Sequence, residues 1–433
     1  MTNAACSGLA IVGAGPAGLA CAIGFGAPCT VLERRREVGG LCASAEIDGA
    51  VFDVGGHSFW TPHDEVRELV FGALDMFEQR RRAVCYAGGA WIDYPFQRNF
   101  SALPDPQVRA ECAEGLAAAD GGAGAAQFEE HILRRYGGGV ARHFLLPYNR
   151  KLWARDLRRL ATDWTQERVA APVRAAEPLL GSPGRRPPLQ EDTRVAYPAQ
   201  GGFGEIARAL ARSVSTISTI RTEAEVVRID PVARELALAD GGRLRWERLV
   251  STIPLPELLA RIDGAPDELR ASAGRLEYVS LRVVFAVVDR PPETETQRVY
   301  VAEPGILAHK VALNHNSSPA LRARPHSAVI AEVSYSADKP LPAADIGPLV
   351  ARDLAELGLV REPAQVRRTV SVDVRYAYPV PTPDRAARVR EIAAWLEPLG
   401  IATLGRLGEW DYINSDECIR RGLAAGRAIT AFA

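Results

Sequence analysis

Three glycines, Gly13, Gly15 and Gly18, stand in G-x-G-x-x-G spacing within AIVGAGPAGLACA, directly after an apolar run at residues 9–12. Such a turn suits phosphate. The first glycine permits the tight turn, the second lets backbone approach a pyrophosphate, and the third brings a helix against a strand. The helix N-terminus then turns its amide donors and the positive end of its dipole on the phosphates. Glu33, 20 residues beyond Gly13 and just after a second apolar segment at 30–32, is placed to accept hydrogen bonds from ribose hydroxyls. Two glycine pairs follow, Gly39 and Gly40 in REVGG and Gly55 and Gly56 in FDVGGHSFW, where His57 comes next. Backbone without side chains can lie against a planar ring.

These residues need elements to hold them. Residues 9–12 read as a buried strand, 18–25 as a helix and 30–32 as a second strand, which is half of a doubly wound sheet. From about 95 to 190 the pattern turns helical, with Phe128, Ile132, Leu133 and Tyr136 on one face and a loop at GGAGAA (121–126). GSPGRRPP (181–188) breaks regularity, and YPAQGGFGEIARALARSV starts a new strand, turn and helix. Period-two segments between about 270 and 385, such as 369–375 with Val370, Val372 and Val374, predict a mainly antiparallel sheet that includes the more buried SLRVVFAVV. The expected class is therefore α/β: a Rossmann-type FAD-binding domain with an inserted helical domain and a mainly antiparallel β-sheet domain. Its segments are 1–94 (FAD-binding, first part), 95–190 (helical substrate domain), 191–268 (FAD-binding, second part), 269–390 (sheet substrate domain) and 391–433 (FAD-binding, closing part).

Composition bounds the partners. With 433 residues, 47% apolar and 24% charged, the chain has the balance of a soluble protein of two or three domains, and its net charge of -1 gives no general attraction to nucleic acid or anionic membrane. Anionic ligands must be met by locally placed cations. The uncharged stretch 8–32 holds six glycines and two prolines, so it reads as strand, turn and helix rather than a membrane span, and no basic region precedes it as in a secretory signal. Seven scattered cysteines (Cys6, Cys21, Cys29, Cys42, Cys85, Cys112, Cys418) without a C-x-x-C pair indicate neither a disulfide framework nor a metal site, and a reducing cytoplasm fits best. Of 52 basic residues only Lys151, Lys310 and Lys339 are lysines.

The order GAGPAGL, E-x5-GGL, FDVGGH resembles the flavoprotein group that contains amine oxidases, protoporphyrinogen oxidase and UDP-galactopyranose mutase. The resemblance implies FAD, with Gly55 and Gly56 beside the isoalloxazine and His57 as a flavin neighbour. WIDYPFQRNFSALP (91–104), FLLPYNRKLWARDL (144–157) and DWTQERVAAP (163–172) narrow it, for they resemble the eukaryotic-type UDP-galactopyranose mutases. That likeness implies that Tyr94, Gln97, Asn149 and Trp153 hold the nucleotide base, with Lys151 on the same motif, and that Arg168 reaches the substrate phosphates near the flavin. RVYVAEPGILAHKVALNHNSSP (298–319) lies on the family stretch that contributes a base-contacting tyrosine, Tyr300, and a second phosphate arginine, which is Lys310 here. Lysine is a compact point charge where arginine offers a bidentate fork, so the exchange implies altered diphosphate placement or substrate identity, and the scarcity of lysine argues against drift. Tyr378 and Tyr412 match the family's diphosphate-binding tyrosines, and Asp416 stands where the eukaryotic form has an asparagine near the sugar.

What the resemblance implies as activity is isomerisation of a nucleotide-diphosphate hexose between pyranose and furanose. Reduced flavin N5 attacks the anomeric carbon, and the sugar reopens and recloses on the resulting adduct with no net redox change. Arg168 and Lys310 are the catalytic candidates, and an electron donor such as NAD(P)H or a reductase must keep FAD reduced. An oxidase or desaturase of the amine-oxidase and protoporphyrinogen-oxidase group shares the expected fold, and the YPFQ, PYNRKLW and ERVAAP motifs discriminate against it. A non-catalytic flavin or nucleotide-sugar binder would bind without turnover.

Overall fold

Leu9, Ala10, Ile11 and Val12 are apolar on both faces of their strand, the mark of a strand covered on both sides, and all four are buried. The structure is a computed structural model that describes residues 5–172 and 194–431, so GSPGRRPP (181–188) lies outside the described residues. The strand runs Ala5–Val12, longer than its apolar core suggests. The helix after it, Pro16–Phe25, starts two residues before the expected one because proline at its first position presets the helical φ. Thr30–Leu32 follows as expected.

Around Ala5–Val12 a seven-stranded sheet assembles in the order Val226–Asp230, Glu235–Leu238, Arg243–Ser251, Ala5–Val12, Thr30–Leu32, Thr219–Arg221, with Ile401–Thr403 also on Arg243–Ser251. Pairing is parallel at its centre and antiparallel in the meander 226–251. A second seven-stranded sheet runs Val366–Pro379, Tyr278–Val288, Ser327–Tyr335, Lys310–Leu313, Arg298–Val301, Ala83–Ala87, Ala90–Asp93. It is antiparallel except where Arg298–Val301 lies parallel to Ala83–Ala87. The strands within 83–93 therefore extend this sheet, although the expected first segment, 1–94, gave them to the FAD-binding domain. Their own alternation carries no trace of the distant partner strand.

The helical part, from 96 to 168, covers the end of the second sheet. On Phe128–Val140 the face Phe128, Ile132, Tyr136 is buried, but Leu133 is 43% exposed and does not share it. One residue past Ile132 turns about 100° away, and the 3.6-residue period places Leu133 on the rim. A π-helical turn at Ala141–Leu145 leads into Leu146–Trp153. Pro147 has no N–H to return to the preceding turn, and the widened turn accommodates its ring. Among the described residues no helix is long and apolar enough to cross a membrane.

Helix Pro16–Phe25 packs on Ser415–Ala431 through backbone. A Cβ on Gly422 would stand 2.5 Å from the Ala17 carbonyl oxygen, and one on Gly426 2.2 Å from that of Cys21. Gly24 approaches the Leu423 carbonyl in the same way, at 2.3 Å. Even one methyl must push these helices apart, and the N-terminal turn of Pro16–Phe25 would move with them. Gly422→Val is expected to lower stability by about 1–3 kcal/mol, the usual cost of overpacking, and to weaken FAD retention. Urea denaturation with the flavin absorbance of the purified protein checks both, and wild-type values for both would refute the role given to the glycine contact.

Candidate functional site

The two sheets leave one continuous cavity of about 700 Å³ that runs from the glycine turn to the aromatic side chains near Tyr94. At one end Gly13, Gly15, Gly40, Gly56 and Glu33 line it. Gly13 has φ +105°, and a Cβ there would strike Thr252 Oγ1 at 2.2 Å. A Cβ on Gly18 would lie 2.0 Å from the Gly13 carbonyl oxygen, so Gly18 serves helix packing behind the cavity. Around Gly15 the space is open, with nothing within 4 Å of where its Cβ would be, and Gly40 faces it across the gap. That is a cradle a side chain would fill. Glu33 is buried and fixed, Oε2 accepting from Ala14 N–H and Oε1 from Arg35 N–H, each at 2.9 Å. Gly39 ties the loop back through its N–H to the Ala14 carbonyl at 2.8 Å. These residues fit a dinucleotide's pyrophosphate and ribose.

The Asp53–His57 loop is held by two buried carboxylates. Asp53 Oδ1 accepts from Ser44 Oγ at 2.6 Å and Phe203 N–H at 2.9 Å, and its Oδ2 accepts from Tyr197 Oη at 2.7 Å. Glu332 Oε1 accepts from Gly56 N–H at 2.6 Å. Gly55 carries φ +99° and turns the chain toward Glu332, outside the cavity lining. His57 lines the cavity, stacked on Phe203 at 4.8 Å between centroids. Burial first, and then Lys310, pushes its imidazole down to about 3, so it is neutral.

In the middle of the cavity Tyr378 and Tyr412 meet edge to face at 5.4 Å. Two guanidinium groups flank Tyr412: Arg168 Cζ lies 4.8 Å and Arg406 Cζ 5.4 Å from its ring centroid. Arg168 donates to Asn414 Oδ1 at 2.5 Å and to the Tyr412 carbonyl at 2.6 Å. Arg406 donates to the carbonyls of Ile413, at 2.8 Å, and Ala377, at 3.2 Å. Lys310, expected from the sequence as a phosphate cation, lines the cavity with its ammonium 2.8 Å from Glu332 Oε1, so a carboxylate already meets its charge.

At the far end Tyr94 and Tyr300 lie 5.1 Å apart, with the Arg81 guanidinium 4.9 Å over Tyr94 and donating to Tyr300 Oη at 2.8 Å. Gln97 and Asn149 line the same end. Their amide N–H groups serve the carbonyls of Ala170 at 2.6 Å and Leu145 at 2.7 Å, which leaves each an oxygen to offer. Trp153 does not reach the cavity. It is fully buried behind Trp164 and Tyr412, at 5.0 and 5.4 Å, because the helix Leu146–Trp153 turns Tyr148 and Asn149 inward and Trp153 into the core. Asp416 is also off the lining, buried in the first turn of Ser415–Ala431. Lys151 donates to the Glu303 carbonyl at 3.0 Å and joins helix to loop.

Sequence reasoning missed Arg81, Tyr148, Glu332 and Arg406. Tyr148 sits inside the PYNRKLW motif, and Arg406 follows Gly405 in GRLGEW, so both were within reach of a closer reading. Glu332 had a sharper signal, as the one charged residue in the strand SAVIAEVSY. Among the described residues no group of His, Cys, Asp and Glu is arranged to hold a metal ion.

Residues 16–390 match the family model described as flavin containing amine oxidoreductase. Among solved structures, the chain is similar to a reduced UDP-galactopyranose mutase, with 25% identity, 99% of this chain and 94% of that chain covered, and a TM-score of 0.86. A putrescine oxidase double mutant matches at 18% identity over 99% of each chain with a TM-score of 0.69. Cyclohexylamine oxidase from Brevibacterium oxydans IH-35A matches at 17% identity, covering 98% of this chain and 99% of that one, with a TM-score of 0.68. The likeness to the two oxidases is one of fold.

Asp416 gives the site a pH signature. Burial, partly offset by its backbone hydrogen bonds and Arg168, lifts its carboxyl from 3.8 to about 6. A carboxyl raised on folding contributes its stability in full below the unfolded value and loses it as pH climbs through the folded one. Asp416→Asn is therefore expected to gain about 1–3 kcal/mol over wild type at pH 8 and almost nothing at about pH 3. Urea melts at the two pH values measure the difference, and an equal effect at both would show that ionisation is not the cause.

Proposed function

The chain belongs to the flavin-containing amine oxidoreductase family and is a flavoenzyme built like UDP-galactopyranose mutase, and within that frame we propose that it interconverts the pyranose and furanose forms of a nucleotide-diphosphate hexose. The observation that carries the reading is the set of groups that line one cavity. Pyrophosphate-cradling glycines stand with the loop at Gly56 and His57, with Arg168 and Arg406 around Tyr412 beside Tyr378, and with Tyr94, Gln97, Asn149 and Tyr300. A second cationic site beside the substrate would repel the protonated amine that an amine oxidase takes. FAD is the cofactor these residues fit, and in its reduced form it supplies a nucleophilic nitrogen toward the anomeric carbon.

The rest falls to the chain. A nucleoside diphosphate leaving the sugar carries about two negative charges, and charge-assisted hydrogen bonds contribute roughly 1.5–3 kcal/mol each. Arg168 is fixed by Asn414 and the Tyr412 carbonyl before any ligand arrives, so it can meet that charge without reorganising. Burial, with Glu332 and Tyr412 adding to it, raises the Tyr378 phenol well above its ordinary range, which keeps it a protonated donor. At the other end Tyr94, Tyr148 and Tyr300 form aromatic walls for a nucleobase, Gln97 and Asn149 offer acceptors, and Arg81 offers donors. Anchoring both the base and the diphosphate holds the sugar between them, and the aromatic walls keep water from the reacting carbon. In this reading Asp416 acts from behind, through Arg168.

The test is anaerobic incubation of the FAD-loaded protein with UDP-galactopyranose and its dTDP and GDP counterparts, with and without dithionite. A furanose product that forms only with reduced flavin is expected. Oxygen consumption on amines, with no furanose, would instead place the protein with the oxidases. Arg168→Ala is expected to keep FAD and to lose about 10²–10³-fold in turnover, the usual cost of removing a preorganised charge-stabilising group. Turnover within a few-fold of wild type would remove Arg168 from the reaction.

A further inference from the structure

Glu332 is the sole charged residue of the strand Ser327–Tyr335 and is 1% exposed. Four groups surround its carboxylate. Oε1 accepts from Gly56 N–H at 2.6 Å and lies 2.8 Å from the Lys310 ammonium. Its other oxygen, Oε2, accepts from Tyr378 Oη at 3.2 Å and lies 3.6 Å from His309 Nε2, which has no hydrogen-bond partner. Lys310 faces Glu332 directly across the pairing of their two strands, so backbone register fixes the ion pair. Two of the four groups expected at the substrate diphosphate, Lys310 and Tyr378, are thus held by a single buried carboxylate. Arg168 and Arg406, across the cavity, donate to carbonyl groups and an amide.

A reaction in which a diphosphate leaves and then returns is slowed if the free diphosphate is held too tightly, since binding that is equal at every stage does nothing for turnover. A buried anion beside the site opposes such tightness. We propose that Glu332 is a positioning residue that holds Lys310 and Tyr378 on itself and competes with the substrate's diphosphate for them, so that the subsite binds diphosphate less tightly than its cations alone would. This rests on the mutase reading and deepens it. Through Gly56, the same carboxylate joins the diphosphate subsite to the flavin-side loop, so the capture of Lys310 by a phosphate alters the charge against that loop.

The experiment titrates inorganic pyrophosphate, and separately UDP, into FAD-loaded protein by calorimetry at fixed ionic strength. Glu332→Gln, nearly isosteric and able to keep the Gly56 contact, is expected to bind pyrophosphate about tenfold tighter than wild type, because a competing anion is gone. Lys310→Gln is expected to bind roughly a hundredfold more weakly, since Glu332 then faces the phosphate unpaired, and adding Glu332→Gln to it is expected to recover most of that loss. A purely structural Glu332 would move binding the other way. Unchanged or weaker binding by Glu332→Gln with a wild-type flavin spectrum overturns the proposal. If that variant sheds FAD, Glu332→Asp takes its place, with a several-fold tightening expected and no tightening overturning it. Wild-type protein that binds neither probe at millimolar concentration would remove the diphosphate subsite itself, and the mutase reading with it.

Discussion

The cavity depends on a short loop, Asp53–His57, gripped from two sides by buried carboxylates. Asp53 fastens the start of the loop to Ser44, Tyr197 and Phe203, and Glu332 fastens Gly56 to the second sheet. A buried carboxylate is costly unless its lone pairs are met, and here both are met several times over. Because each acid accepts from groups distant in the chain, neither can be satisfied until those segments have come together. The bonds that satisfy the two acids thus also fix the course of the loop beside the cavity.

Around that frame the site is arranged by charge. The chain as a whole carries a net charge of -1, so its attraction for a dinucleotide and for the proposed sugar nucleotide has to be local. Helix Pro16–Phe25 offers amide donors at one point and Arg168 and Arg406 offer cations at another, with the flavin-side loop between them. Lysine is used sparingly, and its use is concentrated: Lys151, Lys310 and Lys339 all act electrostatically on His309, whose imidazole burial holds at about 3. Lys151, buried and influenced by Lys339, is itself pushed down to about 7. Arginine would resist such a shift, which gives a physical reason for position 151 to be lysine in an arginine-rich chain.

Local patterns were legible in the sequence and long-range ones were not. The glycine turn, Thr30–Leu32 and the antiparallel character of the second sheet follow from spacing and period, because each depends on neighbours a few residues away. The attachment of 83–93 to that sheet depends on Arg298–Val301, about which its own residues say nothing. For the site, the family resemblance marked Tyr94, Gln97, Asn149, Arg168 and Tyr412, all of which line the cavity. It also marked Trp153, which the turn of its helix sends into the core, and Lys310 without its partner. A residue's type shows what it can bind. Its counterion, 22 positions on at Glu332, is a fact of register between strands.

The glycine-to-backbone contact between Pro16–Phe25 and Ser415–Ala431 sets the order of events during synthesis. The cofactor turn leaves the ribosome long before the helix that backs it. Its closure is a contact of very large sequence separation, the slowest kind to form. The nascent glycine turn is therefore without that support until Ser415–Ala431 has been made, which sets firm retention of the cofactor late in folding rather than at its nucleus.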